Sequence, residues 1–392
     1  MVDAANGPGT DFSDLLPAMD AASSGDTILL RPHPTALYNT PATRAEFISK
    51  SLRSVGLGAS PVRVWGALQF RGAPGDHLIV LANLDMSNSL VDIQDCLGLV
   101  ICDRLISTGV PGGSVRLLAD SGRVVVANSR GTVWRGPAVY PNRVSLWLQN
   151  CYYEDLHSNP TTTVQMATLY AVESEVWLIG TELRGGTPLN TSMWDRYYDW
   201  GLAVGHVSAN RPGRAYLGPG CVIAGAPRPG GRQTNTCTSP THENSVKTSH
   251  SPYNSSYPPA YLFYDPTTTF EGCRETGGHE LAHEFPAVLP GEALRGQRQS
   301  IDLWGPSTSV LAVFASFAHT GDPIVLPIGD VWLDPDLVVH VGSAAVDANH
   351  RATLSTTIPP WIAPGEVLVY QAVALSPAQS WEISPPGIAV VR

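Results

Sequence analysis

Between His77 and Gly225 the chain repeats itself. Six short apolar runs follow one another, at 77–83, 97–103, 123–128, 143–150, 175–181 and 214–219. The first five end on a small polar residue, Asn83, Asp103, Asn128, Asn150 and Thr181, at steps of 20, 25, 22 and 31. A period of this size marks a solenoid, in which each repeat buries its apolar side by stacking on the next. Each run is too short for a helix and is rich in Val, Ile, Leu and Trp, so it reads as a strand. One such strand per coil implies a parallel β-helix of about eight to ten coils. The recurring Asn reads as a ladder that satisfies backbone groups of neighbouring coils, in preference to a polar binding row.

Composition agrees with a β-rich chain full of turns. Of 392 residues, 37 are Gly and 33 Pro, 43% are hydrophobic and only 15% charged. The formal charge of −10 argues against a nucleic-acid partner. No apolar run reaches the 18 or so residues of a membrane span. Met1-Val2-Asp3 opens directly on domain-like sequence, which reads as a mature secreted chain with a start Met added for expression. Six cysteines without a C-x-x-C pattern fit an oxidising compartment, secreted or at the cell surface. Cys237 and Cys273 bracket a long polar loop and form the expected disulfide; Cys102 and Cys151, inside coils, read as free buried thiols.

Ahead of the repeats, Phe12, Leu15, Leu16, Met19 and Ala22 have helical spacing, with Ser13 as the cap. A helix there covers the open end of the first coil, whose strand edges would otherwise invite pairing. The stretch from Phe12 through Gly25-Asp26-Thr27-Ile28, Tyr38 and Ser49-Lys50-Ser51-Leu52 to Gly56 resembles the opening of pectate-lyase-like right-handed parallel β-helix proteins. The resemblance extends over roughly residues 2–285. The usual Pro-Gly-x-Tyr after the first strand is replaced here by Pro32-His33-Pro34 and Tyr38. The resemblance implies the fold, and a superfamily of lyases, hydrolases, epimerases, tailspikes and adhesins. After Pro286 the texture changes. Strands at 300–304, 310–316, 337–341, 352–356, 367–371 and 388–391 imply a small antiparallel β-sandwich. The expected organisation is thus a β-helix over 1–286 and a sandwich over 287–392. By analogy the sandwich serves attachment, sorting or capping of the last coil, with self-association through it as one outcome.

Several stretches carry chemistry. Equivalent positions of successive coils stack about 4.8 Å apart. Glu154, Asp155, His157 and Tyr153, leaving one coil, therefore share a face with Arg104, Glu182 and Arg184 from the coils around it. Such a set provides the base and cation of a polyuronate lyase or the paired carboxylates of a glycosidase. It reads equally as a solvated face with ordinary ion pairs, and no catalytic motif of the pectate-lyase or polygalacturonase type is recognisable. Trp194, Asp195, Arg196, Tyr197, Tyr198 and Trp200 form a dense aromatic and charged insertion. There flat rings stack on sugar faces and polar groups bond hydroxyls, or the rings fold back as a lid. His279-Glu280-Leu281-Ala282-His283 matches the zinc pattern HExxH. Gly277-Gly278 before it and Pro286 after it leave scarcely two turns for a helix, so it reads as linker. No cofactor is indicated, and a calcium site built by tertiary contacts stays open.

These features point to an extracellular protein that recognises a polysaccharide and, in one version, cleaves it as a lyase or hydrolase. The alternatives are a non-catalytic adhesin or surface protein and a filament-forming structural protomer.

Overall fold

A computed structural model describes residues 1–39, 44–48, 50–87, 90–108, 117–120, 122–133, 137–155, 167–186, 201–205, 213–225, 245–248, 260–276, 279–318, 322–376 and 380–392. The chain is mostly β. Three parallel sheets are visited in a fixed cycle, and each strand pairs with its counterpart one coil earlier and one coil later. The first sheet has ten strands among the described residues, the second nine and the third eight. This is a parallel β-helix. Its first sheet contains the expected runs, as Leu78–Ala82, Leu99–Asp103, Arg123–Ala127, Ser145–Gln149, Glu175–Ile179 and Arg214–Leu217. The solenoid does not end at Ala260–Asp265. One more turn follows through Thr269–Glu271 and Arg274–Glu275 to Glu280–Ala282, so the expected linker is the last strand of the first sheet.

The helix Leu15–Ala21 drives Leu15 and Met19 into the solenoid core. Its N-cap is Asp14, not Ser13. Asp14 Oδ1 accepts from Leu15 N at 2.7 Å and also from Asn39 N at 2.6 Å, which ties the cap to the first coil. Lys50 Nζ donates to the Met19 and Asp20 carbonyls at the other end. Seven residues are marginal as a free helix, so core burial and these ties hold it.

A ladder exists, but Asn128 and Asn150 link side chain to side chain and only Asn83 bonds neighbouring backbone as expected, and its register shifts by one at a single coil. Asn83, Arg104, Asn128 and Asn150 all take positive φ at the corner between the first and third sheets, and Gly180 does so in the next coil. That corner needs the left-handed region, which Asn and Gly reach at least cost. Asp103 is still in strand, level with Ala82 and Ala127. Asn150 Nδ2 donates to Asn128 Oδ1, and Asn128 Nδ2 to Asp103 Oδ1, both at 2.9 Å. Asn83 bonds the Gly56 and Gly58 carbonyls. Burial pushes the Asp103 carboxyl above its usual range, opposed by the Asn128 bond and by Arg392. Asn128→Ala is expected to cost about 2–3 kcal/mol, from the lost bonds and the left-handed backbone. Asn128→Gly should recover the backbone share, and chemical denaturation of the two variants separates the contributions.

Inside the coils Cys96, Cys102, Cys151 and Cys221 are free and buried. Burial pushes Cys102 and Cys151 up to about 12, so these thiols stay protonated. Cys273 is disulfide-bonded; Cys237, its expected partner, lies outside the described residues.

Among the described residues the C-terminal part forms two larger antiparallel sheets and a two-stranded hairpin, Ile324–Leu326 with Gly329–Val331. Ala287–Pro290, Arg298–Trp304 and Arg351–Thr357 make one larger sheet. Val339–Ala345, Val310–Phe317, Val367–Leu375, Trp381–Ile383 and Gly387–Val390 make the other. Ile301, Leu303, Leu311, Val313, Tyr370 and Ala372 pack between them. The larger sheet is covered on its other face too. Val367, Val369, Ile388 and Val390 lie against Val80, Ile101, Val125 and Trp147 on the outer wall of the solenoid's first sheet. Double coverage explains why Val367–Leu375 is apolar almost throughout, where a half-exposed antiparallel strand would alternate. The sandwich therefore lies along the side of the solenoid, and capping of the last coil is not its arrangement. Gln149 fastens the contact: its buried amide donates to the Pro386 carbonyl and accepts from Ile388 N, the latter at 3.0 Å.

Candidate functional site

The third sheet carries part of the set expected from coil stacking. Tyr152, Glu182 and Val222 form one column, and Glu154, Arg184, Ala224 and Glu271 the next. Tyr152 donates to Glu154 at 2.8 Å. Arg184 bonds Glu182 through Nε and Glu271 through Nη1, the latter at 3.2 Å. Burial and the Glu154 hydrogen bond push Tyr152 up to about 12. Glu154, Glu182 and Arg184 thus share a face, and their charges are spent on near neighbours. A uronate approaching Arg184 has two carboxylates to displace.

The other members lie elsewhere. Tyr153 points into the solenoid beneath Gly131, where a Cβ would stand 2.9 Å from its ring. Burial raises its pKa well above the phenol range. Inward orientation follows from alternation along the strand, since Tyr152 and Glu154 face out. Asp155 is buried as well. Arg104 sits at the corner of another coil, pairs with Glu292 and donates to the Ala59 carbonyl at 3.1 Å. It fastens the sandwich and does not join Glu154. His157, and the whole stretch Trp194, Asp195, Arg196, Tyr197, Tyr198 and Trp200, lie outside the described residues.

His279 and His283 flank a strand, not a helix. Four residues of extended chain separate them by about 13 Å, too far to share a zinc ion. Pairing with Tyr261–Tyr264 forces this conformation on the segment. His279 packs edge-on to Tyr261, and His283 Nε2 lies 3.1 Å from Glu382 Oε1. Among the described residues no three His, Cys, Asp or Glu side chains are grouped to hold a metal.

The sequence reading missed a cleft where the sandwich edge leaves the solenoid wall. The sandwich covers the first sheet only as far as Trp147 and Trp177. Beyond that limit the strands alternate in burial, as in Arg214–Leu217. The space there measures about 550 Å³. Its floor is Trp147, Trp177 and Phe285, and its walls are Asp330 and Trp332 on one side and Trp381 and Glu382 on the other. Trp147 meets Trp332 edge-on at 4.8 Å. Trp177 stacks on Tyr216 at 3.9 Å, and Tyr216 on Phe263 at 4.8 Å, because these positions are level in successive coils. The Trp177 indole N–H donates to Glu175 at 2.9 Å. Phe285 stands edge-on to Trp177 and packs against His283. Trp381 is 54% exposed at the rim, an open aromatic surface in an otherwise crowded site.

Buried polar groups hold the two walls. Gln371 accepts from Trp332 N at 2.7 Å and donates to the Asp330 and Ser384 carbonyls, both at 2.8 Å. One amide thereby links the hairpin bearing Asp330 to the segment following Glu382. The signals for this site were present but scattered. Trp147 and Trp177 lie mid-strand 30 residues apart, while Trp332 and Trp381 occur in a different part of the chain.

The fold and cleft define a parallel β-helix protein with a C-terminal antiparallel β region and an aromatic, acidic site where the two meet. No family model matches the chain, and no curated protein matches it by sequence.

Proposed function

We propose that this chain is a secreted or cell-surface protein that recognises a polysaccharide, and that the glycan occupies the cleft between the solenoid and the sandwich. The supporting observation is the cleft's lining, with Trp147, Trp177, Phe285, Trp332 and Trp381 beside Glu175, Asp330 and Glu382. Sugar rings present an apolar C–H face to aromatic side chains and a hydroxyl edge to carboxylates. The elongated wall of the solenoid offers a track on which a polymer can extend past the cleft. The pectate-lyase-like kinship suggested by residues 2–285 agrees with this reading, and within it a lyase or hydrolase is the catalytic version. The paired state of Arg184 favours recognition over polyuronate cleavage at the third sheet. A surface or adhesin role is favoured by one further feature, the exposed apolar side chains Ile324, Val325 and Leu326 on the sandwich hairpin.

The test is a panel of neutral, acidic and amino polysaccharides. Retention on immobilised glycan, reducing-end release and ultraviolet absorbance of unsaturated products are followed together. Binding is expected for at least one polymer, with quenching of tryptophan fluorescence. Trp381→Ala should weaken that binding about tenfold, equivalent to about 1.4 kcal/mol. Its thermal midpoint should stay unchanged, because the ring is largely solvent-exposed. Absence of binding and of product across the panel would remove the glycan reading.

A further inference from the structure

We infer that the cleft selects a polymer of amino sugars carrying free ammonium groups over its N-acetylated and carboxylated counterparts. The inference rests on the glycan reading and names its substrate class. Glu175 comes from the solenoid wall, Asp330 from the sandwich hairpin and Glu382 from a sandwich strand, and all three line one cleft. Among the described residues no Lys or Arg lines it. Two arginines lie near the cleft without lining it. Arg123 stacks over Trp332 at 5.4 Å and lies 3.8 Å from Asp322. Arg214 is exposed, level with Glu175 one coil on, and its side chain bonds the Tyr216 hydroxyl. His283 contributes positive charge only when protonated, and its ring nitrogen is engaged with Glu382.

The acids alone would make a charged surface. What turns them into a selective site is that they border a half-enclosed cleft lined by indoles. An ammonium group there gains twice, from the carboxylates and from the open ring face of Trp381. An N-acetyl group carries no charge to place against either. A uronate brings a like charge against three carboxylates, offset among the described lining residues only by His283 when it is protonated, which disfavours binding.

The experiment is calorimetric titration of the intact chain at mildly acidic pH. The ligands are length-matched oligomers of glucosamine, N-acetylglucosamine and galacturonic acid, with oligolysine as a charge-matched ligand that is not a sugar. Glucosamine oligomers are expected to bind about tenfold tighter than the acetylated ones, and added salt should narrow the gap. The double variant Asp330→Asn, Glu382→Gln should remove the preference, so that glucosamine and N-acetylglucosamine oligomers bind the variant equally. Equal or tighter binding of the acetylated or galacturonate oligomers overturns the inference and leaves glycan recognition standing. Oligolysine binding as tightly as glucosamine oligomers shows that charge alone is read, and overturns both. Binding of no oligosaccharide overturns the inference together with the reading beneath it.

Discussion

Gly122→Ala is expected to destabilise the solenoid by about 4 kcal/mol, the largest effect of any single methyl group considered. Gly122 sits at the turn that leads into the first-sheet strand Arg123–Ala127, with φ of 83°. A Cβ there would stand 1.8 Å from the carbonyl oxygen of Cys96, in the coil below. That atom belongs to backbone and cannot rotate away as a side chain would. Left-handed strain contributes about 1–3 kcal/mol, and forcing the two coils apart about 1–3 kcal/mol more. Against a net stability of about 5–15 kcal/mol, this is a large fraction. Gly25→Ala is the natural control, because Gly25 also has positive φ, at 94°, yet a Cβ there meets nothing within 4 Å. It should cost only the backbone share, about 1–2 kcal/mol. Urea denaturation of both variants checks the pair. Equal losses would show that coil spacing at Gly122 relaxes freely, contrary to the argument.

Gln371→Leu is the second large effect, and it falls on the site. Leucine keeps the volume and removes the whole hydrogen-bonding end. The Trp332 N–H and the Asp330 and Ser384 carbonyls lose their partner together. Each buried group left unpaired costs about 1–3 kcal/mol. Part of this is recovered as the loops open to water, so about 3–4 kcal/mol is expected. The relaxation itself is the functional consequence, because Asp330, Trp332 and Ser384 line opposite walls of the cleft. Glycan affinity should fall more than tenfold. Hydrogen exchange should quicken at 330–334 and 384–388 and remain slow in the coils. Unchanged exchange at those segments, with unchanged binding, would contradict the role assigned to Gln371.

Reading the chain as a solenoid succeeded for local reasons. Strands such as Leu78–Ala82 carry their apolar character in five consecutive residues, and stacking of like on like repeats it from coil to coil. The corner residues were nearly as legible. Asn83, Asn128 and Asn150 were recognisable because a left-handed corner favours Asn. Arg104 was overlooked because it occupies the same corner without the expected chemistry, so Asp103 was counted in its place. Extended pairing was harder to see at His279–His283. Its local pattern suits a helix, and only the preceding coil imposes a strand.

The third-sheet face was legible as a set and not as a state. Coil stacking alone put Glu154, Glu182 and Arg184 together. Whether their charges are available depends on Glu271, contributed two coils beyond Arg184 across a long insertion.

By itself, then, the sequence determined the parallel coils, the helix at their start and the strands of the C-terminal region, because each depends on periodicities within a few residues and on neighbours one repeat away. A hint of the rest was also there, since the early runs are apolar on both faces while Glu175–Ile179 and Arg214–Leu217 alternate. Only the tertiary structure decided that the sandwich folds back along the solenoid and stops at Trp177. That choice rests on surfaces with no fixed separation in sequence, such as Val125 against Val390 and Gln149 against Pro386 and Ile388. The cleft exists where that contact ends, so it joins Trp147 and Trp177 of successive coils to Trp332 and Trp381 of distant segments, which meet only because two apolar faces exclude water from each other.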